Sequence, residues 1–186
     1  MARNIEIKAR IHSLAAMLPK ALAIASAAPV EISQDDTFFR CENGRLKLRM
    51  FDDTHGELIF YRRADQVGPK ASFYQITATS QPRQLRDVLA AAHGTLGRVV
   101  KHRTLIMAGR TRMHLDRVEQ LGQFLELEVV MADGESLADG IAEAHALMAS
   151  LGVEPDQLIE DAYLDLLRRQ NADPAAVSAA RAAESR

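Results

Sequence analysis

At 186 residues the chain fits one domain, long enough to bury most of the surface that its unfolded form exposes. Its 23 Lys and Arg against 25 Asp and Glu give a formal charge of −2, which excludes a nucleic-acid binder built on global basicity and leaves the placement of the cations as the informative feature. A lone Cys41 cannot form an intramolecular disulfide, no apolar signal core opens the chain, and no run of about 18 apolar residues suggests a membrane span, so a cytoplasmic, soluble protein with no nucleic-acid or membrane partner is expected.

In chain order, a first strand over Asn4–Ile11 leads into an Ala-rich helical stretch, Ser13–Ala27, with Ser13 as its cap and Pro19 expected to kink or restart it. Gln34-Asp35-Asp36-Thr37 reads as a polar turn running into a short aromatic strand, Phe38–Cys41. Asn43-Gly44 is a hairpin signal that pairs this strand with Arg45–Arg49, and Asp52–Gly56 is the next turn, after which Glu57–Arg63 pairs back. Lys70–Thr77 is another strand. A helix spans about Gln81 to His93, with Pro82 in its first turn and Gly94 at its end. Gly97–Met107 and Arg110–Asp116 form a hairpin through Ala108-Gly109, and Gln123–Met131 is the last strand. Two helices follow, Ser136–Ser150 and Pro155–Arg169. The chain then divides into one domain over residues 1–170 and an Ala-rich, unpatterned tail over 171–186, where disorder is expected.

Successive side chains of a strand leave opposite faces, so Arg45, Lys47 and Arg49 share one face while Leu46 and Leu48 share the other. Like charges two residues apart weaken a sheet, and three of them on one face are tolerable mainly against a polyanion. The design repeats. Glu57, Ile59, Tyr61 and Arg63 share a face, as do Lys101 and Arg103, and Arg110, Arg112, His114 and Asp116. Glu6 and Lys8, then Glu126 and Glu128, alternate with aliphatic residues on the first and last strands. Eight strands with one polar and one apolar face, joined mostly by hairpins, predict an α+β fold: an eight-stranded antiparallel barrel with a polar lumen and helices packed outside. For a single cation a solvated strand face is the better reading, because surface ion pairs are common and weak. Four strands repeating the pattern reverse that preference.

The ordered series Asn4-Ile5-Glu6-Ile7-Lys8, Gln34-x-Asp36-x-x-Phe39, Arg45-Leu46-Lys47-Leu48-Arg49, Glu57 to Arg63, Lys101-x-Arg103, Arg112-x-His114-Leu115-Asp116 and Phe124-x-Glu126-x-Glu128 resembles the CYTH superfamily, the triphosphate tunnel metalloenzymes. Tyr163-Leu164-Asp165-Leu166-Leu167 is similar to the closing helix of its class IV adenylyl cyclase-like branch, and the resemblance covers about Asn4 to Leu167. The first motif position carries Asn4 where the family signature has glutamate.

The resemblance implies a tunnel in which Lys8, Arg45, Lys47, Arg49, Arg63, Lys101, Arg103, Arg112 and His114 bind a triphosphate, with Mg²⁺ or Mn²⁺ held by Glu6, Glu126 and Glu128. Lys8, Arg63 and Asp116 are the expected catalytic positions; Asp116 reads equally as ligand, base or turn anchor. His114 could donate to phosphate or shuttle a proton, against the plainer role of a hydrogen-bonded wall residue. Gln34 and Asp36 read as nucleotide contacts or as a capped turn; Tyr61 and Tyr74 read as core aromatics or as contacts to a base. Three functions compete: a cyclase converting ATP to cyclic AMP and pyrophosphate, a phosphatase of inorganic, thiamine or nucleoside triphosphate, and a non-catalytic polyphosphate or nucleotide binder. A homodimer is common in the family. No Gly-rich phosphate loop, Cys cluster or Ser-His-Asp arrangement is visible.

Overall fold

A computed structural model describes residues 3–63 and 70–172, with side chains at 4–62 and 73–172. Its strands are β1 (Arg3–Arg10), β2 (Val30–Phe39), β3 (Arg45–Met50), β4 (Gly56–Arg63), β5 (Lys70–Thr79), β6 (Thr95–Ala108), β7 (Thr111–Val118) and β8 (Gly122–Met131). Every neighbouring pair is antiparallel, in the closed order β1-β5-β4-β3-β2-β6-β7-β8. Closure joins the first strand to the last, so the two acidic strands expected near opposite ends of the sequence lie side by side.

The alternation read from the sequence sets the two surfaces of this barrel. Ile5, Ile7 and Ala9 of β1, Met113 and Leu115 of β7, and Leu125, Leu127 and Val129 of β8 point outward into one core. Helices α1 (Leu14–Ala23) and α3 (Leu137–Leu151) cover it with Met17, Ala21, Ala144 and Leu151. Burying aliphatic side chains of this size stabilises by roughly 1.5–3 kcal/mol each, before the entropy of ordering them is counted. A smaller core sets Phe39, Leu48 and Met50 beneath Leu85 and Leu89 of α2 (Pro82–His93). Ser13 caps α1, its hydroxyl accepting from Ala16 N at 3.2 Å, and α1 runs through Pro19 without restarting. Gly152 ends α3 in the left-handed conformation at φ 69°, where a Cβ would be strained.

Three expectations are corrected. Gln34 and Asp36 are not in a turn: β2 is continuous because its whole length pairs with β6, and Asp35–Phe39 pair with β3 as well. The expected helix Pro155–Arg169 is split into a 3₁₀ turn, Pro155–Gln157, and α4, Tyr163–Ala172, so Asn171 and Ala172 are helical. Between them Ile159 N donates to Lys8 O at 3.0 Å and Leu158 bridges to Ala9, spending backbone groups on the barrel that a helix would have used internally. Arg110 leaves the lumen series for the β6–β7 turn, where it pairs with Glu135 at 2.6 Å and Glu143 at 2.7 Å. Residues 173–186 of the expected tail lie outside the described residues. No described helix is long and apolar enough to cross a membrane.

Candidate functional site

The barrel encloses a cavity of about 440 Å³. Even positions of β1, β2, β5, β7 and β8 and odd positions of β3, β4 and β6 face it, so the charged residues expected on one face of each strand converge. Lys8, Lys47, Arg49, Lys101, Arg103, Arg112 and His114 line it, as do Glu6, Glu126 and Glu128. Arg45 is the exception. Its guanidinium is 2.7 Å from Asp165 on α4, and it is not part of the cavity wall, because α4 closes that end of the barrel over it. Arg63 ends β4, and its side chain lies outside the described residues. A larger depression, about 580 Å³, lies against Ser33, Asp35, His102, Arg117 and Glu119 and gathers no comparable set of converging charges.

Two aspartates organise the cations. Asp36 accepts from Lys47 Nζ at 2.7 Å and from Arg49 Nε and Nη2 at 2.8 and 3.0 Å. The ladder sets Asp36 directly opposite Arg49, which fixes the contact. Burial alone would raise its carboxyl, but Arg49 and Lys47 outweigh that and hold it far below the ordinary range. Asp116, fully buried, accepts from Arg103 Nε and Nη2 at 2.6 Å each and from the Tyr163 hydroxyl at 3.0 Å, with Lys101 Nζ 3.4 Å away. Lys101 and Arg103 hold Asp116 low in the same way. A carboxylate so occupied is a poor proton acceptor at neutral pH; Asp116 anchors Arg103 and Tyr163, a role outside the expected readings of ligand, base or turn anchor.

Tyr163 forms the floor. Lys8 Nζ lies 4.0 Å from its ring centroid and Lys101 Nζ 5.2 Å, and its ring packs on Phe124 at 4.9 Å. Burial and the neighbouring Asp116 hold its hydroxyl protonated, well above the usual tyrosine value. The sequence offered Tyr163 only as part of the closing-segment resemblance, since nothing in its spacing relates it to a strand 47 residues away.

The carboxylates gather on β8 and its neighbours. Glu126 is 3.4 Å from Lys8, 2.8 Å from Arg103 and 3.7 Å from His114 Nδ1; Glu128 is 3.4 Å from Arg112 and 3.8 Å from His114 Nδ1. Glu126, although buried, is held well below the ordinary carboxylate range by Lys8, His114 and Arg103. His114 is pushed down by burial and Arg103, which favours the neutral ring. That makes it a better ligand than phosphate-binding cation, and its buried Nδ1 has no hydrogen-bond partner. His114, Glu126 and Glu128 each offer a ligand atom within 4.8 Å of one another. Glu6 lies directly opposite Glu128 on the β1–β8 ladder. Like charges so placed destabilise a sheet unless a cation lies between them.

Among the described residues the six cations lining the cavity, Lys8, Lys47, Arg49, Lys101, Arg103 and Arg112, are matched by Glu6, Asp36, Glu57, Asp116, Glu126 and Glu128. Burial and Arg103 lower Lys101 to about 7, and burial and Arg49 lower Lys47 to about 8. Among the described residues the lumen is therefore close to neutral, and a polyanion entering it would be held better with further cations. Two carboxylates and a neutral imidazole are a ligand set for a divalent cation, so the residues present fit one.

The family model for the CYTH domain matches residues 2–163. The PH1012 protein from Pyrococcus horikoshii OT3 superposes with a TM-score of 0.78 at 18% identity, covering 88% of this chain and 98% of that one. A candidate adenylate cyclase from Vibrio parahaemolyticus superposes at 0.70 with 15% identity, covering 89% and 97%. HpAC1 from Hippeastrum, a candidate adenylyl cyclase described as having a dominant triphosphatase activity, superposes at 0.59 with 17% identity, covering 91% and 96%. At these identities the likeness is one of fold. Comparison of the sequence with curated proteins gives no match.

Proposed function

The chain belongs to the CYTH domain family, and from that premise we propose that it is a metal-dependent enzyme that binds a triphosphate in the tunnel and cleaves one of its phosphoanhydride links. The observation that carries this reading is the convergence of Lys47, Arg49, Lys101, Arg103 and Arg112, from three strands, on one cavity that also holds the His114, Glu126 and Glu128 group. A divalent cation held by Glu126 and Glu128 with His114, and by Glu6 from the adjacent strand, would supply the positive charge that the balanced lumen lacks and lower the pKa of a bound nucleophile. The chain's own residues do the rest. Arg49 and Arg103, each held by an aspartate through Nε and Nη2, would bring guanidinium charge and their Nη1 donors to phosphate oxygens. Lys8 and Lys101 supply point charges above the Tyr163 floor. Charge neutralisation and in-line positioning account for most of phosphoryl-transfer catalysis.

The first form of the reaction is cyclase-like, with the ribose 3′-hydroxyl attacking the α-phosphorus and pyrophosphate leaving; the placement of the Tyr163 segment at the tunnel floor supports it, because that segment resembles the cyclase-like branch. The second is hydrolysis at the terminal phosphorus, supported by the HpAC1 likeness. Incubation of purified protein with ATP, thiamine triphosphate or tripolyphosphate and Mg²⁺ or Mn²⁺, with the products resolved, tests both. Cyclic AMP supports the first and orthophosphate the second; binding without turnover would contradict an enzyme. Glu128→Gln should abolish metal-dependent turnover and weaken Mn²⁺ binding while the circular dichroism spectrum is retained.

A further inference from the structure

Lys8 of β1 and Lys101 of β6 stand on parts of the wall that β7 and β8 separate, yet both reach the same ring. Lys8 Nζ is 4.0 Å and Lys101 Nζ 5.2 Å from the Tyr163 centroid, both within the roughly 6 Å over which an aromatic face attracts a cation. The carboxylates near these two lysines stand further off than those of Lys47 and Arg103. Lys8 is 3.4 Å from Glu126 and Lys101 is 3.4 Å from Asp116, whereas Lys47 and Arg103 reach their aspartates at 2.7 and 2.6 Å. A charge-assisted hydrogen bond spans about 2.7–2.9 Å, so neither lysine is closed onto an acid. The segment before α4 holds Lys8 twice more: Ile159 N donates to its carbonyl oxygen at 3.0 Å, and its ammonium donates to Asp161 O at 3.5 Å.

The ring is fixed from several sides. It packs on Phe124 at 4.9 Å, and its hydroxyl donates to Asp116 at 3.0 Å. The next residue, Leu164, fits against Gly97 so closely that a Cβ there would lie 2.6 Å from its Cδ1, and Asp165 pairs with Arg45 at 2.7 Å. Two buried ammonium groups drawn to one place repel each other. A carboxylate closed onto them would relieve the repulsion, but an incoming phosphate would have to displace it. The negative face of a neutral ring attracts both groups and leaves N–H donors for an anion. We propose that Tyr163 is a positioning residue of the triphosphate site: its ring holds the Lys8 and Lys101 ammonium groups charged and oriented for phosphate oxygens, which makes α4 part of the site. The inference rests on the tunnel being a triphosphate site and adds to it a residue that acts through these two lysines.

The test is calorimetric titration of a methylene-bridged, hydrolysis-resistant tripolyphosphate analogue, with Mg²⁺ present, into the full chain and its variants. Tyr163→Leu keeps apolar bulk but loses the ring face, and it should bind about tenfold more weakly through the loss of two cation–π contacts. Tyr163→Phe keeps the face and loses the bond to Asp116; its affinity should stay within about threefold of the native value. In a Lys8→Met background the effect of Tyr163→Leu should shrink, because one of the two contacts is already gone; a merely structural loss would add instead. Tyr163→Met, flexible enough to fill the same space, gives the same reading should Tyr163→Leu fail to fold. Native affinity in the folded Tyr163→Leu or Tyr163→Met protein overturns the proposal, as does an equal loss in Tyr163→Phe or an effect that Lys8→Met leaves undiminished. If the native protein does not bind the analogue, the triphosphate reading fails and the positioning role fails with it.

Discussion

Asp116→Asn is the sharpest probe of how the lumen holds its cations. The substitution keeps shape and removes one charge from a residue that is fully buried and accepts two 2.6 Å bonds from Arg103. Removing one partner of a buried ion pair costs about 3–5 kcal/mol, because the other charge stays desolvated and unpaired. Arg103 keeps Glu126 at 2.8 Å, so the lower end applies, about 3 kcal/mol. For a chain of this size that is a fall of about 6–12 °C in Tm. Urea denaturation followed by circular dichroism reads the loss at pH 7. It should also depend on pH: Asp116 is held below its unfolded value of about 3.9, so its contribution is present above that pH and lost as the solution is acidified through the folded value. The variant should therefore show a shallower acid destabilisation than the native protein. Arg103→Met combined with Asp116→Asn should be less damaging than the sum of the two single changes. A loss under about 1 kcal/mol for Asp116→Asn, or strict additivity, would refute the claim that this pair organises the site.

Lys101, lowered to about 7, and Lys47, lowered to about 8, bind fewer protons in the folded than in the unfolded chain between those values and the unfolded value of about 10.4. Stability of the ligand-free protein from these groups should thus rise as pH increases from 7 to 10, while affinity for a triphosphate analogue falls over the same range; thermal unfolding and titration at several pH values check both signs. Gly97→Ala places a Cβ 2.6 Å from Leu164 Cδ1 on α4, so it should destabilise by about 1–3 kcal/mol and loosen the floor, read as faster amide exchange at Tyr163. Arg110→Ala removes two ion pairs on the outside of the barrel and should cost stability without changing triphosphate affinity, which separates the outer network from the lumen.

The barrel was legible because period-two alternation is a direct consequence of strand geometry, and each face matched its burial: Ile5 and Ile7 outward, Glu6 and Lys8 inward. Polar residues misled where tertiary pairing overrode local preference. Gln34-Asp35-Asp36 has turn composition, yet β3 and β6 flank it and Asp36 is spent on Lys47 and Arg49. The strong hairpin and cap signals, Asn43-Gly44, Ser13 and Gly94, fell where sequence chemistry placed them, because they are local. Strand parity and the motif series both put Arg45 in the lumen, but neither carries information about α4, whose Asp165 takes it. The near-neutral lumen was also out of reach of the sequence. Which acid neutralises which cation depends on barrel closure, which brings β1 beside β8 and Tyr163 beneath Asp116.

Anomalous diffraction from crystals grown with Mn²⁺ and a hydrolysis-resistant triphosphate tests the central claim most directly. The account predicts a manganese peak among His114, Glu126 and Glu128, with the phosphate chain inside the barrel against Arg49 and Arg103. A manganese peak and phosphate density outside the barrel, with the lumen ion pairs undisturbed, would contradict it.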